Sequence, residues 1–246
     1  ETVTSSDGSM PLLAPMSTIA GQLAFVVGSY HLLKHNNGKG VMIGQMDNMD
    51  PRVVTVIGAG VSGTQSILKA IDNNALVKVV DSSQSKLDEL KLQYGSNNVE
   101  YILSTKDSIQ SSINDSDLVI GSVYVVGKEA PKVITKEMLS SMNPGTVMVD
   151  VSIDQGGCFE TSKPTTHDNP TFLENEIVHY CVTNMPGAVP LTATEALNKV
   201  TLSYIEFIAN NGVSNALDSD EHLMNGLNIK DGIIIHPAVK EALSKL

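Results

Sequence analysis

The chain has 246 residues, enough to bury a substantial core and to form one large domain or two smaller ones. Its 27 acidic against 16 basic residues leave a net charge of −11. That charge repels phosphate backbones and anionic lipid, which excludes nucleic acid and membrane surfaces as expected partners. No run approaches the roughly 18 consecutive apolar residues of a spanning helix.

The N-terminus, Glu1-Thr-Val-Thr-Ser-Ser-Asp-Gly, is acidic and polar and unlike a signal or transit peptide, which points to the cytoplasm. It does not begin with Met, and the chain is expected to be a piece of a longer protein. Cys158 and Cys181 make no CxxC pattern or disulfide framework and read as buried thiols in a reducing compartment. His31 and His35 have the four-residue spacing of some metal sites, but no Glu or Cys strengthens the pair, and no metal is expected.

From Met16 to Leu33, the residues Met16, Ile19, Ala20, Leu23, Val26, Val27, Tyr30 and Leu33 recur at steps of three and four, predicting an amphipathic helix. A strand from Val53 to Ile57 runs into Gly58-Ala-Gly-Val-Ser-Gly63, after which Ile67, Leu68, Ala70 and Ile71 suit the buried face of a helix. A strand from Leu76 to Val80 ends at Asp81. A helix at Gln84 to Tyr94, a strand at Val99 to Leu103, a helix at Asp107 to Ile113 and a strand at Leu118 to Ile120 follow. Near-continuous apolar strands alternating with helices predict a parallel sheet covered on both faces.

Further predictions are a helix at Thr135 to Met142 and strands at Thr146 to Val151 and Ile177 to Val182. Pro190 precedes a long helix from about Ala193 to Ala209, with Thr192 and Glu195 spaced as a capping box and Gly212 beyond its end. Residues 213–246 form a tail too short to be a domain. The fold class is α/β: a Rossmann doubly wound parallel sheet flanked by two long linking helices, with a residual piece of a second substrate domain. The expected boundaries are 1–15 for a substrate-domain segment, 16–36 for a linking helix and 37–188 for the Rossmann domain. A second linking helix occupies 189–212, and a further substrate-domain piece 213–246.

The GxGxxG string has the context its chemistry requires: a strand before it, a helix after it, and an acid, Asp81, 18 positions beyond Gly63. Gly58 makes the tight turn, Gly60 lets the backbone approach a pyrophosphate, and Gly63 lets the helix pack on the strand. The helix N-terminus offers free N–H groups to phosphates. Asp81 suits a ribose 2′-hydroxyl and repels a 2′-phosphate, so NAD is preferred over NADP. Asp154-Gln-Gly-Gly-Cys-Phe-Glu160 forms a glycine-bearing loop at the carboxyl end of a strand, where ligands of open α/β sheets gather.

Several longer strings match a family rather than a fold. Pro11-Leu-Leu-Ala-Pro-Met-Ser17 with Ala20-Gly21, Ala130-Pro-Lys132, Val149-Asp-Val-Ser-Ile-Asp-Gln-Gly-Gly-Cys-Phe-Glu160 and Asn184-Met-Pro-Gly-Ala-Val-Pro190 together resemble alanine dehydrogenase over nearly the whole chain. The resemblance implies NAD-dependent oxidative deamination of L-alanine to pyruvate and ammonium, by a homo-oligomer that is usually a hexamer.

By the same resemblance Ser17 touches the pyrophosphate, Asp81 and Lys86 hold the adenosine end, and Ser104, Val123, Tyr124 and Lys163 make further cofactor contacts. Lys86 equally fits a plain helix-surface lysine. The segments Val151, Ser152, Ile153, Asp154 and Val182, Thr183, Asn184, Met185 surround the nicotinamide. Asp154 is the candidate catalytic carboxylate, orienting the amine or the attacking water; Asn184 either assists at the reacting carbon or braces the loop.

His167 and His179 do not match the family's catalytic histidine. That histidine, with the arginine and lysine that bind substrate, belongs to an N-terminal segment that has no counterpart in this sequence. Two alternatives share the cofactor residues: a non-catalytic NAD-binding module, and the nucleotide-binding unit of a transhydrogenase.

Overall fold

In a computed structural model, residues 2–44, 46–125 and 129–244 are described. They divide into two compact units, Thr18–Met185 and the two chain ends, Glu1–Ser17 with Pro186–Leu246. Among the described residues no helix is long and apolar enough to cross a membrane.

The larger unit takes up helix α1 (Ala14–His31), most of which lies within it, and then alternates strand and helix: β1 (Val53–Ile57), α2 (Val61–Asp72), β2 (Leu76–Asp81), α3 (Gln84–Tyr94), β3 (Val99–Leu103), α4 (Lys106–Ile113) and β4 (Leu118–Gly121). After β5 (Val147–Asp150) come β6 (Thr171–Glu174) and β7 (Ile177–Tyr180). The sheet order is β3-β2-β1-β4-β5-β7-β6, with β6 antiparallel and the other pairings parallel. This is the doubly wound arrangement, with the reversal of strand order between β1 and β4. The central strands carry apolar side chains on both faces because both are covered: Val54 and Val56 join one cluster with Phe25, Ile67 and Leu87. Ile57 and Val119 join another with Ile113, Leu139 and Phe159.

Helix α1 buries a face rotated from the one its periodicity suggested. Ala20, Gly21, Ala24, Phe25, Gly28 and His31 are buried, while Val26, Tyr30 and Leu33 are exposed. Small residues select this face: a Cβ on Gly21 would collide with the Ser62 backbone, and one on Gly28 with Leu118. His31 therefore lies inside, its ring against Tyr30 and Tyr180, and His35 sits beyond the helix on an exposed 3₁₀ turn (Lys34–Asn36).

Three elements differ from the sequence expectation. Residues 135–142 form a short 3₁₀ helix (Glu137–Ser141), because the Ser140 and Ser141 hydroxyls donate to the carbonyls three residues back and Pro144 keeps Asn143 out of the helical region. Strand β6 is additional, joined to β7 by a two-residue turn in which Asn175 and Glu176 both have positive φ, at 51° and 60°. Helix α5 (Pro190–Asn211) starts with Pro190 at its first position, so Thr192 lies inside it and no side chain caps its start.

The smaller unit contains α5, α6 (Val213–Ser219), α7 (Glu221–Asn225), a β8–β9 hairpin (Ile229–Lys230 and Ile233–Ile234) and α8 (Pro237–Leu243). Its two chain segments meet where Asn225 Nδ2 donates to the Thr4 carbonyl (3.2 Å). Ala216 and Leu223 are buried there, whereas α5 has no buried residue, and Leu191, Leu202 and Ile205 are exposed.

Candidate functional site at the carboxyl edge of the sheet

Parallel strands put all their carboxyl ends on one edge, and there the larger unit gathers most of the residues singled out by sequence. Gly58 follows β1, Asp81 ends β2, Ser104 follows β3, Val123 and Tyr124 follow β4, Val151 to Asp154 follow β5, and Val182 to Met185 follow β7. Ser17 lies on the first turn of α1, and its N–H donates to the Leu13 carbonyl.

The three glycines have three different surroundings. Gly58 has φ +92°, and a Cβ would lie 2.6 Å from the Ser122 carbonyl oxygen; a Cβ on Gly63 would collide with the Gly58 carbonyl oxygen. At Gly60 nothing among the described residues lies within 4 Å of the Cβ position. Turn and packing thus use the first and third, and the second faces open space. Gly60 is also the N-cap of α2 and has no side chain to cap it, so the helix's N-terminal N–H groups and dipole are left to face an anion.

The Asp81 carboxylate accepts from the Ala59 N–H (2.6 Å) and the Ser83 N–H (2.8 Å), which fixes it beside the glycine turn. A carboxylate accepts about four hydrogen bonds, so about two sites remain for ligand hydroxyls. The Ser104 N–H donates to the Asp81 carbonyl (2.8 Å). Lys86 pairs with Glu89 (3.1 Å), and Lys163 reaches Glu174 (3.8 Å) while lying 5.4 Å from the Phe172 ring centre. Ser122, which the sequence reading passed over, donates to the Gly58 carbonyl (2.7 Å) and locks the turn. A serine just past a strand carries no motif signal, so only the contact identifies it.

Beyond β5 the chain makes a 3₁₀ turn (Ile153–Gln155) and folds back through Gly156 and Gly157, both at positive φ. The Asp154 carboxylate is exposed and accepts from the Asn184 N–H (3.2 and 3.4 Å). His167 Nε2 lies 3.3 Å from the Asn184 carbonyl, so the Asn184 peptide, at φ +52°, is held on both sides. The Ser152 hydroxyl donates to the Val123 carbonyl (2.8 Å), tying this loop to the one after β4.

Behind the loop lies Asp150, buried at the end of β5, which the sequence showed only as part of an apolar strand. Burial pushes its carboxyl above the usual carboxylate range, while the Ser162 hydroxyl and the Cys158 and Phe159 donors pull the other way. Burial and the neighbouring Asp150 raise the thiols of Cys158, well above its ordinary value, and of Cys181, to about 12; both are protonated and unreactive. His179 is fully buried, with Nδ1 donating to the Ile177 carbonyl (3.1 Å) and Nε2 accepting from the Thr161 hydroxyl (2.8 Å); burial lowers its pKa. Among the described residues no group of three His, Cys, Asp or Glu could hold a metal.

Comparison with known proteins agrees with this architecture. Residues 24–237 match the family model for the alanine dehydrogenase/PNT C-terminal domain. An alanine dehydrogenase of Halomonas elongata is 47% identical over 242 residues, which are 98% of this chain and 65% of that protein. The chain thus spans slightly under two thirds of that relative's length. A solved L-alanine dehydrogenase superposes with a TM-score of 0.94 at 41% identity, covering 100% of this chain and 67% of its own. A transhydrogenase from Sinorhizobium meliloti shares the fold, with a TM-score of 0.75 at 22% identity over 91% of this chain and 63% of its own.

Proposed function

We propose, from the premise that the chain belongs to the alanine dehydrogenase/PNT family through its C-terminal domain, that it supplies the cofactor-binding part of an NAD-dependent enzyme oxidatively deaminating L-alanine to pyruvate and ammonium. One observation carries the reading: the Gly58–Gly63 turn opens onto free space at Gly60, with the Asp81 carboxylate fixed beside it. Such a cradle fits a dinucleotide pyrophosphate on the α2 N-terminus and a ribose on Asp81. Bound there, the cofactor would supply the hydride acceptor.

The chain's own residues would do the rest. Asp81 would receive the ribose hydroxyls and repel a 2′-phosphate, favouring NAD over NADP. Ser17 would meet the pyrophosphate, and Lys86 would leave its exposed pair with Glu89 at little cost. Ser104, Val123, Tyr124 and Lys163 would line the remaining cofactor surface. Val151, Ser152 and Ile153, with Val182, Thr183, Asn184 and Met185, would border the nicotinamide. Asp154, bonded among the described residues to the Asn184 N–H, would orient the amine or hold a proton beside the reacting carbon. The proposal includes a cytoplasmic homo-oligomer, a hexamer by resemblance. It also includes the division into a Rossmann domain (37–188), linking helices (16–36 and 189–212) and substrate-domain pieces (1–15 and 213–246).

The test compares this chain alone with the chain joined behind the N-terminal segment of the Halomonas elongata relative. Both are expected to bind NADH, and only the joined protein to reduce NAD with L-alanine. Asp154→Asn should lower that turnover by roughly 100-fold or more, the range for a lost acid–base group. Alanine-independent hydride transfer from NADPH to an NAD analogue would favour the transhydrogenase reading instead.

A further inference from the structure

We infer that Asp150 is the positioning residue of the loop beyond β5, a buried anion about which residues 151–162 are wound so that Asp154 faces the nicotinamide end of the cofactor site. The inference rests on the cofactor reading above and assigns a task to a side chain that takes no part in it.

Five donors converge on this carboxylate. Oδ1 accepts from the Ser152 N–H (3.0 Å) and the Cys158 thiol (3.4 Å); Oδ2 accepts from the Cys158 N–H (2.8 Å), the Phe159 N–H (3.3 Å) and the Ser162 hydroxyl (2.5 Å). These donors span eleven positions, from one side of Asp154 to the other, so both ends of the loop are fastened to one group. Gly157 makes the close wrap possible: it has φ +78°, and a Cβ would lie 2.7 Å from Asp150 Oδ2.

The outer side is fastened too. Lys132 Nζ donates to the Gly156 and Gly157 carbonyls (2.5 and 2.7 Å), so a cation outside and an anion inside grip the same turn. Asp154 sits at the apex between Ser152 and Cys158, exposed and, among the described residues, hydrogen-bonded through the Asn184 N–H. A loop around a buried anion has one low-energy shape, because any other leaves the carboxylate or the buried N–H groups of Cys158 and Phe159 unpaired. Asparagine in place of Asp150 presents an amide donor to groups that are themselves donors, and the wrap loosens without a change of volume.

Titration calorimetry of this chain with NADH and with ADP-ribose, which lacks the nicotinamide, separates positioning from general support. Asp150→Asn is expected to weaken NADH by about 10-fold and ADP-ribose by less than about 2-fold. Ser162→Ala, which removes one donor and keeps the carboxylate, should weaken NADH by about 2-fold with ADP-ribose unchanged, the effect of one net hydrogen bond. Equal weakening of both ligands, or no change in either, overturns the inference. If Asp150→Asn does not fold, Ser162→Ala decides, and an unchanged ratio of the two affinities overturns it. A native chain that binds neither nucleotide overturns the cofactor reading itself, and the inference with it.

Discussion

The loop between β1 and α2 is shaped by side chains that are missing, and the loop beyond β5 by one that is buried. In the first, Gly58 and Gly63 admit the Ser122 carbonyl and the Gly58 carbonyl to places a Cβ would fill, and the backbone closes on itself. In the second, five donors collect on Asp150 and the chain between them follows. A steric device tolerates no added atom but is indifferent to protonation. A polar device tolerates small changes of volume but depends on who donates to whom. The two should fail under different challenges.

The largest effect is expected from Gly63→Val, which forces side-chain atoms into the Gly58 carbonyl. Overpacking of this kind costs roughly 1–3 kcal/mol or more, and with the turn displaced NADH binding should fall below detection by calorimetry. Binding retained within about threefold would show that the turn is not sterically closed.

A smaller effect is expected from Asp81→Ala. It leaves the Ala59 N–H without its partner, costing about 1–3 kcal/mol in the thermal transition, and should reduce the preference for NADH over NADPH by about 10-fold. An undiminished preference would place discrimination elsewhere.

The smallest concerns acid and bears on the second loop alone. His179 holds Thr161, at the far end of that loop, and burial lowers its pKa, with Glu174 and Lys163 acting in opposite directions. A depressed histidine favours the folded state in its neutral form. The contribution is present above the unfolded pKa of about 6.5 and is lost as pH falls from there through the lowered folded value. His179→Gln should therefore lose less thermal stability than the native chain between pH of about 7 and 5. Buried His31, also lowered, is common to both proteins and cancels. Parallel losses would show that His179 is not the group being titrated.

These differences also explain what could be read from the sequence. Glycines at fixed offsets after an apolar strand are a local signal, as are strands buried on both faces, so β1 to β5, β7 and the first loop were legible. Asp150 was not, because a strand-ending acid looks the same whether it is solvated or surrounded by donors from positions 152–162. His167 was passed over for lack of a family match, yet the fold brings it to the Asn184 carbonyl. Strand β6 escaped because Phe172 and Leu173 make too short an apolar run after Pro170, and its pairing depends on the turn at Asn175 and Glu176. The Thr192–Glu195 spacing suggested a cap that Pro190, by starting α5 earlier, makes unnecessary.

That turn also bears on the order of assembly. Among the described strands of the sheet, β6 and β7 alone pair across a two-residue connection, with Thr171 opposite Tyr180 and Glu174 opposite Ile177. A hairpin closes in about 1–10 μs, whereas each parallel neighbour must first fold a crossover and surrender more chain entropy. The β6–β7 ribbon can therefore form while the rest of the sheet is still open, giving β5 a template on which to dock. Glu176 holds φ +60° at the second position of that turn, where such tight hairpin connections favour glycine.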